Sequence, residues 1–132
     1  MNRKRLNLAV PAALIAAAYC LSACARRVEA PLDAGVCWHA VPLKDGGMRF
    51  NRLADHVANI ESCAASLEGM RLRFLAIGGQ AREIMGAYQG EFIFLQREGV
   101  FVGQTLTGAR YLALVRTGDG RLAMPGAVAM PQ

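Results

Sequence analysis

The chain has 132 residues, enough to bury one modest core and too few for a second domain. Its formal charge is +5, yet Arg3, Lys4 and Arg5 stand ahead of an apolar run, and from residue 24 onward 12 basic side chains face 10 acidic ones. That near balance excludes nucleic acid as a partner, because gripping phosphates needs a clustered excess of Lys and Arg.

The first element in chain order has the three parts of an export signal. The cationic residues 2–5 precede an apolar run over 6–20, which is at the upper end for a signal peptide and short of the roughly 20 residues a spanning helix needs. Pro11 weakens a long helix further. A branched apolar residue, two small ones and a cysteine follow, as Leu21-Ser22-Ala23-Cys24. This tetrapeptide resembles the lipobox of bacterial lipoproteins. The resemblance implies removal of residues 1–23 and a diacylglyceryl thioether on Cys24, which becomes the acylated, palmitate-type N-terminus. Three acyl chains anchor the protein without spanning the bilayer, since each buried methylene contributes about 0.8 kcal/mol. In enterobacterial lipoproteins an aspartate after that cysteine retains the protein in the inner membrane. Ala25 stands there, implying the periplasmic face of the outer membrane. Two plainer readings stay open: an ordinary cut after Ala25 with a soluble product, and an uncleaved anchor. Cys20 is no rival acceptor, because Tyr19 is too large to precede the cut.

Residues 24–35 lack apolar periodicity and read as a lipidated N-terminus followed by a flexible tether, so the single domain is expected over 36–124. Segments 37–43 and 48–53 favour extended structure around the turn residues Lys44-Asp45-Gly46-Gly47, which predicts a β-hairpin. Ile60, Cys63, Leu67, Met70, Phe74 and Ile77 then recur every three or four residues, one face of an amphipathic helix. Glu61, Glu68, Arg71 and Arg73 fall away from that face. Asn59 is placed to cap the start and Gly78-Gly79 to stop the end. A coiled coil would need more heptads than are present. Beyond the helix come short apolar runs at 83–96, 100–106, 111–117 and 122–124, broken at Gly86, Gly90, Gly99 and Gly118-Asp119-Gly120. The tail 125–132 is expected to be frayed.

The expected fold is α+β: an N-terminal hairpin, one helix, then an antiparallel meander of three or four strands, with the helix on one sheet face. Runs such as Phe92-Ile93-Phe94-Leu95 are apolar on both faces, and one helix covers only one. The other face is therefore expected to meet the hairpin, a second copy of the chain or another envelope protein.

Export places the chain in an oxidising compartment. With Cys20 removed and Cys24 acylated, Cys37 and Cys63 remain as a pair, expected to form a disulfide. Two separate buried thiols are the plainer reading. Cys37, His39, His56 and Cys63 are ligand types, but their spacing is not that of a zinc finger, and no metal is expected. Ser62 and Ser66, the two serines after the leader, lie inside the predicted helix and make poor nucleophiles. Gly78-Gly79-Gln80 precedes a strand, so it lacks the helix start that cradles phosphate, and no cofactor is expected. The leading reading is a non-enzymatic envelope module that binds another envelope protein. A small α+β domain presenting a sheet is also similar in architecture to the SPOR family of peptidoglycan binders, although that family places two helices on its sheet. An inhibitor of a periplasmic hydrolase is the third reading.

Overall fold

Alternation with period two and the three-or-four spacing at 60–77 resolve into separate elements in the computed structural model, which describes residues 26–80 and 83–126. The expected signal peptide (1–23), Cys24 and the last six residues of the expected tail lie outside the described residues. In chain order the elements are β1 (Cys37–Pro42), β2 (Met48–Ala54), α1 (Ile60–Ala76), β3 (Ile84–Tyr88), β4 (Glu91–Leu95), β5 (Val100–Gly103), β6 (Tyr111–Arg116) and β7 (Leu122–Ala123). The strands form one antiparallel sheet in the order β2-β1-β3-β4-β5-β6-β7. Described residues thus comprise one helix and seven strands, an α+β domain weighted towards β.

Five strands follow α1, where the spacing of glycines suggested three or four. The run 83–96 holds two of them, β3 and β4, divided at the Gln89-Gly90 turn, whereas Gly86 does not break the chain but sits inside β3, paired with His39 of β1 and Ile93 of β4. A Cβ there would run into Leu67 Cδ1 and lie 2.8 Å from the Trp38 carbonyl oxygen. The absent side chain lets α1 come down onto the sheet.

Each inner strand divides its side chains between two cores. Leu67, Ala64 and Cys63 of α1 pack with Cys37, Ile84, Tyr88, Ile93, Leu95, Val100 and Leu114 on one face. Ala87, Phe92 and Phe94 point to the opposite face, with Trp38, Phe50, Met85 and Phe101 beside them. That second face was expected to meet the hairpin, a second copy of the chain or another envelope protein; Trp38 and Phe50 of the hairpin do lie on it, and further residues cover it. Val28, Ala30 and Leu106 pack against it, the Arg110 guanidinium lies 3.3 Å from the Phe94 ring centre, and Phe92 and Phe94 are fully buried. The expected tether over 24–35 is correspondingly shorter. Ala30 is buried, Gly90 N–H donates to the Pro31 carbonyl at 2.8 Å, and Val57 N–H donates to Gly35 at 2.9 Å. A segment with no periodicity of its own has been ordered by the aromatic surface it covers.

The helix begins where its cap residue sits, with Asn59 Oδ1 accepting from Ser62 N–H at 2.9 Å. It ends at Ile77, and Gly78 follows with φ +87°. Its inward side differs from the expected stripe at three places. Glu68 is buried, 3% exposed, whereas Phe74 and Ile77 are exposed because the helix runs past the sheet beneath it.

Candidate functional site

Helix α1 and the sheet part company near the α1 C-terminus. Met70 and Phe74 overhang His39, Val41 and Pro42 of β1 and Ile84 of β3, leaving a groove of about 530 Å³. Phe74 is 43% exposed at its lip, and Leu43, Leu72, Leu75 and Ile77 add exposed apolar surface at the same end of the domain. Apolar walls dominate, and the imidazole of His39 is the polar side chain of β1 on this face. Burial, followed by the charge of Arg49, lowers the His39 pKa below its ordinary value, so the ring is neutral at pH 7. Glu83 borders the groove, but its carboxylate is taken by Gln96 and Arg110. A neutral, apolar groove of this size receives hydrophobic side chains or a small hydrophobic body.

The groove and the entering chain lie at opposite ends of the sheet. β1 starts at Cys37 beside Tyr88, the last residue of β3, while Ile84, the first residue of β3, flanks the groove. Pro31 is bonded to Gly90 of the β3–β4 turn, and residues 27–30 and Leu32 border a shallow recess together with Gln89, Gly90, Gln104 and Thr105. The strands thus separate the N-terminal attachment from the groove.

Cys37 and Cys63 are joined in a disulfide, with Cα atoms 5.3 Å apart and both side chains fully buried. It fastens the start of β1 to the first turn of α1. His39 faces the groove and His56 lies in the loop after β2 with φ 54°, so the four ligand-type residues do not converge. Among the described residues no group of three or more His, Cys, Asp or Glu side chains is placed to hold a metal ion. Ser66 donates its hydroxyl to the Ser62 carbonyl at 3.0 Å, an ordinary interaction within the helix. Among the described residues no helix is long and apolar enough to cross a membrane.

No protein-family model matches the chain, and no curated protein and no solved structure matches it either. The groove and the chemistry of its walls therefore carry the functional reading.

Two features were not visible in the sequence. The groove is a gap between elements, so no residue pattern announces it. Glu68 is the other: Arg71 and Arg116 each hold its carboxylate through two hydrogen bonds of 2.7 to 3.1 Å. Arg71, three residues along the helix, was the local signal for that pairing. Burial alone would raise the Glu68 pKa, but the bonds from Arg71 and Arg116 outweigh it and bring it down to about 2. This is a clasp between helix and sheet, with every acceptor occupied and nothing left over to react.

Proposed function

We propose that the protein is a lipid-anchored lipoprotein of the bacterial envelope, a non-enzymatic module that holds another envelope protein through the groove under the α1 C-terminus. The anchor reading rests on Leu21-Ser22-Ala23-Cys24 and the apolar run ahead of it. The observation that carries the binding reading is the groove itself, apolar, uncharged and bordered by half-exposed Phe74. Exposed apolar surface around a recess is where soluble domains meet partners. The fitting occupant is a protein segment that offers one or two large apolar side chains and no charge at the contact. An outer-membrane position on the periplasmic face agrees with Ala25 after the lipidated cysteine.

The peptidoglycan reading has less to rest on. A SPOR-like module would present an open sheet face, and here Val28, Ala30 and Leu106 pack on the face away from the helix.

Site-specific photocrosslinking in living cells tests the proposal. A photoreactive residue at position 74 is expected to capture one discrete protein, and the same residue at Arg97, on the β4–β5 turn, is expected to capture none. Capture that is equal at both positions, or none at 74 in correctly localised protein, would remove the groove from the account.

A further inference from the structure

We propose that the end of the sheet formed by the β3–β4 turn and the start of β6 lies against phospholipid headgroups, so that the groove faces away from the membrane. The inference rests on acylation of Cys24 and deepens that reading by fixing which surface meets lipid.

Its warrant is the length of chain between anchor and domain. Val28 already packs with the second core, so the link from Cys24 is four residues long. Fully extended, it reaches about 14 Å. Strands of five or six residues span about 17 to 20 Å, so a domain standing on its groove end would lift Val28 beyond the reach of the link while the acyl chains of Cys24 are inserted. A tether of twelve residues would have allowed any orientation. A link of four does not.

The side chains at the near end suit a headgroup layer. Leu32, in the segment ahead of β1, is 81% exposed beside Gly90 of the β3–β4 turn, and Tyr111 is 58% exposed where β6 begins. Tyrosine, with an apolar ring and a polar tip, sits well at the boundary between lipid and water. Arg26 and Arg27 lie in the link itself, exposed and within reach of phosphate groups. Glu29, Asp33 and Glu91 at the same end offset that charge, so contact is imposed by the anchor and not by electrostatic attraction. The groove consequently takes its partner from the aqueous side.

Fluorescence quenching tests this. Full-length precursor would be processed in cells, purified in detergent and placed in phosphatidylethanolamine–phosphatidylglycerol vesicles that carry a nitroxide on the headgroup. With Trp38→Phe removing the native indole, single probes are introduced as Leu32→Trp, Tyr111→Trp or Ile77→Trp. Quenching at positions 32 and 111 is expected to be several-fold stronger than at 77. A flexible Gly/Ser insertion between Arg27 and Val28 is expected to abolish that difference. Acylated protein quenched equally at 77 and 32 would overturn this placement and leave the anchor standing. Protein found without acyl groups on Cys24 would overturn both.

Discussion

Arg116 on β6 reaches back across 48 residues to set its Nε 2.9 Å from one carboxylate oxygen of Glu68 and a terminal nitrogen 3.1 Å from the other. Arg71 grips the same carboxylate from within α1, at 2.8 and 2.7 Å. Two guanidinium forks on one buried acid tie the middle of the helix to the far half of the sheet.

That clasp sets the acid sensitivity of the domain. The Glu68 pKa falls from its ordinary 4.5 to about 2 on folding, so its stabilisation is complete above about pH 4.5 and is lost as pH falls through 2. The shift corresponds to about 3 kcal/mol. Urea midpoints measured from pH 6 down to pH 2 should fall across this window. Glu68→Gln should start lower by a similar amount at pH 7 and show a flatter decline.

Gly86→Ala should destabilise the domain by about 2 kcal/mol, because the added methyl group meets Leu67 and the Trp38 carbonyl. Leu67→Ala, costly by itself at a fully buried position, should cost less in the Gly86→Ala background than alone, although the carbonyl remains in the way. Denaturant melts of the two single variants and the double variant form the cycle that checks it, and the expected result is a clearly non-additive pair.

Replacing both Cys37 and Cys63 by alanine removes a crosslink spanning 26 residues and should cost about 3.5 kcal/mol in the chain-entropy account. Both sulfurs are fully buried, so a phosphine reductant should act slowly on the native protein and quickly in urea. Thiol trapping followed by mass spectrometry reads both rates.

Trp38 carries a buried indole N–H that finds no hydrogen-bond partner among the described residues. Trp38→Phe therefore loses ring area and the stacking of Arg52, whose guanidinium carbon lies 5.2 Å from the ring centre, but gives up no hydrogen bond. The net cost should stay below about 1 kcal/mol. A thermal melt of the variant is the check.

Local chemistry was legible in the sequence, and distances between elements were not. Asn59, the stepping from Ile60 to Phe74 and Gly78 mark the helix almost to the residue, because caps and periodicity are local. Pairing of Cys37 with Cys63 followed from having two candidates left. Glu68 was assigned outward because its second partner, Arg116, is brought to it only by the sheet. Ile77 was assigned inward because a helical stripe shows direction and not how far the sheet extends beneath it. The cover over Phe92 and Phe94 was missed because residues 28–31 have no pattern of their own. Gly86 was taken for a break, since a glycine that ends a strand and one that admits a neighbouring Leu67 look alike in one sequence.

The orientation of the domain, the direction of its groove and the identity of its compartment all depend on the N-terminus of the mature chain. Intact-mass spectrometry of protein extracted from membranes tests it most directly. The account predicts a chain beginning at residue 24 and heavier than its sequence by a diacylglyceryl group, with or without a third acyl chain. A mass that includes residues 1–23, or an unmodified cysteine at the new N-terminus, would contradict it.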